Sequence, residues 1–182
     1  IVTQWRSESP TIVKMWRECQ NAACAVIEGT QTRRMIRSLQ GIIFSIHLVN
    51  DTPVMFIQLP SGRAIAYWDP KVEEGDMGPR ISYMTQDQTT RRWERTETYG
   101  GKLTENIIQS VARDCLAEKM TALTYMGYKI VFHVHDEIII DVPRSDQKAA
   151  AIVDRVMSEP IDWAPGLPLK GGTYECDFYR KD

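Results

Sequence analysis

The residues of this chain best suited to chemistry are Val134-His135-Asp136-Glu137-Ile138. β-Branched runs on either side, Ile130 to Val134 and Ile138 to Val142, predict two buried strands joined by the polar triplet. Adjacent carboxylates at a buried hairpin tip repel unless a cation lies between them. A divalent metal relieves that cost. Hard oxygen ligands on a tight turn suit Mg²⁺, which binds through one or two carboxylates plus substrate phosphates, and such a site serves two-metal phosphoryl transfer. Two other readings stay open at this level. Acidic residues also gather at turns because turns are solvated and Asp favours them. His133 and His135, at i and i+2 of a strand, fall on one face and could chelate zinc with a carboxylate, His47 being the only other histidine.

The elements that must position this triplet are legible as periodicity and punctuation. Ser9-Pro10 opens a helix in which Ile12, Val13, Trp16, Cys19, Ala23 and Val26 keep helical spacing, and Gly29 closes it. A basic cluster follows at Arg33, Arg34 and Arg37. Ile42 to Val49, Val54 to Leu59 and Arg63 to Trp68 read as a small antiparallel meander, turned at Asn50-Asp51 and Pro60-Ser61-Gly62. Lys71 to Arg80 reads as an acidic loop, and two short strands flank the polar run Gln86 to Arg92. After Tyr99-Gly100-Gly101 comes the strongest helix, about Leu103 to Met126, capped by Thr104 or Gly101. Its apolar stripe is Leu103, Ile107, Val111, Cys115, Met120 and Leu123, and Gly127 stops it. A last helix over Asp146 to Met157 and an edge strand within Leu167 to Tyr179 complete the reading.

Composition bounds the partners. The 182 residues are 43% hydrophobic and 25% charged, and Lys+Arg 22 against Asp+Glu 24 leaves a net charge of -2. With a pI near 6.0, bulk charge gives no support for a nucleic-acid partner, although a local basic patch is compatible with it. No apolar run reaches the roughly 18–20 residues that span a bilayer. The cysteines Cys19, Cys24, Cys115 and Cys176 lack zinc-ribbon spacing and are expected to be reduced thiols. Ile1 in place of Met leads us to expect a natural start upstream.

Taken with what precedes it, the triplet becomes specific. The segment Thr98-Tyr99-Gly100-Gly101-Lys102-Leu103-Thr104-Glu105-Asn106-Ile107-Ile108-Gln109-Ser110-Val111-Ala112-Arg113-Asp114, the Gly127-Tyr128 stop and Val134-His135-Asp136-Glu137 resemble the C-terminal palm of family A DNA polymerases. The resemblance is nearest to the DNA polymerase I-like enzymes of bacteriophages and prophages. It extends over nearly the whole chain, including Trp16, Leu59-Pro60-Ser61-Gly62-Arg63 and Gly166-Leu167-Pro168-Leu169-Lys170-Gly171-Gly172. By position it implies that Asp136 is a metal-binding aspartate and Glu137 a lesser contributor beside the metals and the primer end. It further implies that His135 approaches the primer terminus and that Gln109 lies along the minor groove of the nascent pair. An amide there can donate to the N3 and O2 acceptors that every base pair offers. Arg113 and Lys102, near the same helix, are candidates for backbone phosphate or are simply solvated. Asn106 is three residues before Gln109, whereas many cellular relatives carry the helpful asparagine four before. Arg91, Arg92 and Arg95 lie where phage relatives have an inserted β-hairpin, a candidate DNA contact.

The fold implied is α+β, an antiparallel palm sheet backed by long helices. Residues 1–97 would form a fingers-side helix and β meander, and residues 98–182 the palm. The implied activity is template-directed DNA synthesis with two Mg²⁺ ions, or Mn²⁺ in their place, on primer-template DNA and deoxynucleoside triphosphates. The implied setting is the cytoplasm of a bacterial host, with no membrane. A DNA-binding remnant without activity, or one subunit of a split polymerase, is the competing class, and a metal-dependent nuclease ranks below both. In the family the first metal-binding aspartate and the fingers lysine and tyrosine lie upstream of the part resembled, so the chain by itself is expected not to extend a primer.

Overall fold

The computed structural model describes residues 1–75 and 78–179. Among them the fold is α+β, with a six-stranded and a two-stranded antiparallel sheet. Two compact units divide the chain, residues 1–110 and residues 111–182.

In the first unit, α1 (Val2–Glu8) precedes α2 (Pro10–Ile27), which starts at the expected Ser9-Pro10 and is followed by Gly29 at a φ of 74°. The sheet is a strict meander of β1 (Arg33–Met35), β2 (Ile43–Val49), β3 (Thr52–Gln58), β4 (Ala64–Glu73), β5 (Arg80–Gln86) and β6 (Trp93–Thr98), each strand paired with the next. The antiparallel meander is as expected but extends to six strands. Its inner face carries Phe44, Met55, Ile57, Tyr67 and Ile81, all buried and in matching register. This face meets α2, to which Arg34 ties it by donating to the Asn21 carbonyl.

The expected loop over Lys71 to Arg80 is corrected at both ends, since Lys71 to Glu73 extend β4 and Arg80 opens β5; residues 76 and 77 lie outside the described residues. The cause is a β-bulge between Trp68 and Lys71. Asp69, at a φ of 43°, and Pro70 look like a strand end in sequence. Arg95 holds the irregularity in place, donating to the Asp69 carbonyl at 3.0 Å and to Ser82 Oγ at 3.2 Å while pairing with the Asp69 carboxylate. The extra residue restores the inward alternation, so that Tyr67 and Val72 both face the core side.

Helix α3 (Gly100–Tyr125) begins three residues before the expected Leu103 and runs through the division between the units. Thr104 is not its cap but sits inside the first turns, donating back to the Gly100 carbonyl at 2.8 Å. Gly100 is where α3 meets α2. Its N–H donates to Gln20 Oε1 at 2.7 Å, and a Cβ there would collide with the Trp16 carbonyl oxygen. The far end closes on Gly127 at a φ of 90°, with Gly127 N–H donating to Thr124 and Tyr128 N–H to Leu123, the paired bonds of a glycine-stopped helix.

The second unit holds the last half of α3, the hairpin β7 (Lys129–Val134) and β8 (Glu137–Asp141), and α4 (Ala149–Ser158). α4 starts three residues after the expected Asp146, which instead shapes the preceding turn. Lys119, 5% exposed, donates from Nζ to the Glu159 carbonyl at 2.5 Å and so satisfies the end of α4. The edge strand expected within Leu167 to Tyr179 is absent. Pro168, Gly171 and Gly172 deny that segment a continuous ladder, and Gly171 N–H bonds Ser158 Oγ instead.

Two outcomes follow. Because the obstacle to a side chain at position 100 is backbone, Gly100→Ala should lower stability by about 2–3 kcal/mol, visible as a shifted urea midpoint. Burial holds the Tyr67 hydroxyl up at about 12, only partly countered by the Asn106 bond, against 10.0 for an exposed tyrosine. The folded value being the higher, this contribution is complete below pH 10.0 and is lost as pH climbs toward 12. Denaturant titrations over that window should show a loss on the order of 2–3 kcal/mol, which Tyr67→Phe abolishes.

Candidate active site

Strands β7 and β8 pair from Lys129 with Asp141 to Val134 with Glu137, which leaves His135-Asp136 as a two-residue turn. Turns of this length follow the twist of the strands best when the first central residue has a positive φ. His135 has a φ of 51° and Asp136 is not in that region. A position that glycine fills at no cost therefore carries an imidazole, held exposed at the tip. Strain of this kind at a residue with a Cβ costs on the order of 1–2 kcal/mol.

Two sequence expectations change here. The strands are not buried: Val131 is 53% and Phe132 40% exposed, and no residue of either strand is fully covered. A two-stranded ribbon has no second sheet or third strand to cover it among the described residues. The burial cost that motivated a bridging cation is accordingly small, and donor chemistry must carry the metal argument. The zinc alternative also loses its premise. His135 lies in the turn rather than on the strand, so it does not alternate with His133, and no group of three candidate ligands occurs among the described residues.

Asp136 is exposed and Glu137 half-buried, and neither carboxylate makes a hydrogen bond or ion pair within the described residues. Neighbouring acidic groups differ in this respect, since Asp141 pairs with Lys129 and Asp177 with Arg144. A bulge at Val131 shifts the register between Ile130 and Phe132. It sets Glu137 on the same face as Phe132 and Val134, with His133 on the other.

The remaining candidates lie on α3. Lys102, Asn106 and Gln109, spaced i, i+4 and i+7, share one stripe of its first half in the first unit, and Arg113 follows in the second. Lys102 is exposed on the first turn. Asn106 is half-buried, and its amide donates to the Tyr67 hydroxyl at 2.9 Å. That bond anchors α3 to the sheet and leaves the Asn106 carbonyl oxygen uncommitted. Gln109 donates from Nε2 to Glu105 Oε1 at 3.3 Å, leaving one amide hydrogen and the carbonyl. Arg113 edges an open groove along α3 with Met120, Thr121 and Tyr125. The hairpin thus gathers His135, Asp136 and Glu137, and the helix carries the other four. Two partners escaped sequence reasoning. Glu105, at i−4 from Gln109, was within reach of helical spacing. Tyr67 is separated from Asn106 by a sheet and a loop and gave no local signal.

Compared with known proteins, the chain is 40% identical over 183 aligned positions, its full length, to the DNA polymerase of Bacillus phage SP02. It spans 27% of that polymerase. No family profile matches the chain, and no solved structure does.

Replacing His135 by glycine separates strain from role. His135→Gly should raise thermal stability by about 1 kcal/mol through relief at the turn. A melt showing no gain would mean that the imidazole contributes contacts worth as much as the strain.

Proposed function

We propose that the chain is the C-terminal part of a template-directed DNA polymerase of family A, acting from within a bacterial host as a phage or prophage product. The observation that carries this reading is the 40% identity, over the whole chain, to a segment of a phage DNA polymerase. Support comes from the hairpin tip, where His135 and Asp136 form a strained turn and Glu137 opens the next strand, both carboxylates uncommitted. No helix among the described residues is long and apolar enough to cross a membrane.

The donor set fits a divalent ion. Hard carboxylate oxygens on a short turn, neither spent on a protein partner, leave room for the waters that Mg²⁺ keeps. Asp136 would be the principal ligand and Glu137 the lesser one, with Mn²⁺ a chemical substitute. When bound, such ions activate the primer hydroxyl and steady the leaving oxygens. Two carboxylates are too few for a complete site, so further ligands come from substrate phosphate, water and polypeptide outside this chain.

The chain's own residues then divide the work. His135, raised on the tip, meets the primer terminus. The amide hydrogen that Glu105 leaves to Gln109 donates to the minor-groove acceptor shared by all base pairs, which checks pair shape without reading sequence. Lys102 and Arg113 offer charge to backbone phosphates, adding affinity and salt dependence. Asn106 takes a supporting part through Tyr67 and keeps its carbonyl oxygen and second amide hydrogen for the nucleic acid. In the reaction, the primer 3′-hydroxyl attacks the α-phosphate of a deoxynucleoside triphosphate and pyrophosphate departs.

Asp136→Ala in the complete polypeptide is the test. Primer extension should fall by about 10³-fold while primer-template binding is retained. Unchanged synthesis would overturn the catalytic assignment, and a wild-type polypeptide that binds DNA without extending it would point to a binding remnant.

A further inference from the structure

The end of the β5–β6 hairpin takes no part in the site above, yet it is built as a binding surface. We infer that Arg91, Arg92 and Trp93 grip a single strand of nucleic acid, the two guanidinium groups on phosphates and the indole against a base.

Arg91 and Arg92 are adjacent and exposed, and neither has a carboxylate partner among the described residues. The arginines of the two paired strands themselves are committed: Arg95 of β6 to the Asp69 bulge and Arg80 of β5 to Glu97. The sequence groups Arg95 with Arg91 and Arg92, but in the structure its guanidinium is spent on the bulge. Asp87, the acidic residue inside the turn, faces its own backbone. Its Oδ1 accepts the N–H groups of Thr89 at 2.9 Å and Thr90 at 2.6 Å. These bonds hold its carboxyl below the usual range and offset its charge where it sits. Glu94, next along β6, alternates to the opposite face from Trp93. Arg91 and Arg92 therefore set two guanidinium groups at the tip, and the one carboxylate within the turn is spent on its own backbone.

Arg91 N–H donates to the Asp87 carbonyl at 3.0 Å, Asp87 N–H to the Arg92 carbonyl at 2.9 Å, and Gln86 Nε2 to the Arg91 carbonyl at 3.0 Å. Arg91 has a φ of 58°, a backbone better served by glycine or asparagine. The turn thus holds an arginine at a position where the backbone gains nothing from it, and little ordering is left to be lost when a ligand arrives.

Trp93 is 57% exposed on the outer face of the sheet, the face away from α2, where Trp68 and Phe56 also lie half-buried. Aromatic rings beside basic groups on an open sheet suit unpaired bases, each of which has a π face, and tolerate any sequence. Duplex DNA keeps its bases stacked on one another and leaves the indole without a partner. The inference rests on the polymerase reading for the identity of the strand, namely unpaired template, while the binding chemistry stands on the hairpin alone.

The experiment uses the complete polypeptide, a labelled oligo(dT) and a blunt duplex, titrated over about 50–200 mM salt. In Arg91→Gly/Arg92→Ser, whose first change suits the backbone, the slope of log affinity against log salt should shrink by about 1.4 for oligo(dT), since each neutralised phosphate on a single strand contributes about 0.7. Trp93→Ala should weaken oligo(dT) binding about 10-fold with the slope unchanged. Unaltered affinity and slope in both variants would overturn the inference. So would a silent Trp93→Ala together with equal losses on oligo(dT) and duplex, which marks a general polyanion patch. Primer extension at saturating DNA keeps the two readings apart. Wild-type synthesis with unchanged binding in both variants sinks the hairpin assignment alone, whereas binding that responds as expected in a polypeptide without synthesis sinks the polymerase reading alone.

Discussion

The first unit depends on a place where two backbones touch. Gly100 lies against the carbonyl of Trp16 with no room for a methyl group, and the Gln20 side chain accepts its N–H. The close approach lets Thr104 reach Cys19 Sγ at 3.3 Å and brings Leu103 and Ile107 into full burial. From that fixed start the pitch of α3 determines where each later residue emerges. Asn106 arrives at Tyr67, and Lys102 and Gln109 are left facing outward. A helix begun one residue later would rotate this stripe by about 100°, and the polar residues would exchange places with the core.

Local chemistry made much of this legible. Asn50-Asp51 looked like a hairpin turn and has positive φ at both residues, and Gly127 looked like a helix stop and closes two carbonyls. The alternation of Phe44 and Ile46, and of Met55 and Ile57, marked strands that exist. What escaped was set by distant partners. β4 passes Asp69-Pro70 because Arg95, far along the chain, holds the bulge. Gly100 looked like a breaker when its lack of a side chain is what docks the helix. In the candidate site the triplet was visible by type, but its surroundings were misjudged. β-Branched strands suggested burial, whereas a two-stranded ribbon leaves Val131 and Phe132 open to solvent. The share of Tyr67 in holding Asn106 had no signature in sequence at all.

The two ends of the candidate machinery differ in how they are held. On α3 the polar groups are oriented by neighbours: Glu105 takes one hydrogen of Gln109, and Tyr67 takes one of Asn106. At the hairpin the groups are oriented by the main chain, since a turn too short to relax fixes His135, Asp136 and Glu137 without side-chain support. The first arrangement places an amide, which needs direction. The second places charge, which needs position more than direction.

The unbroken order of the meander has a kinetic consequence. Each of its strands pairs with its immediate successor, so every step of sheet growth closes a short loop at little entropic cost. As the chain leaves a ribosome, β1 through β6 can zip in sequence, each new strand templated by the last. The pairing of α2 with Gly100 spans 80 residues and must wait until the sheet is complete. The helix bearing the polar stripe is therefore fastened only after the scaffold that receives it has formed, which gives the unit an assembly order written from its N-terminus onward.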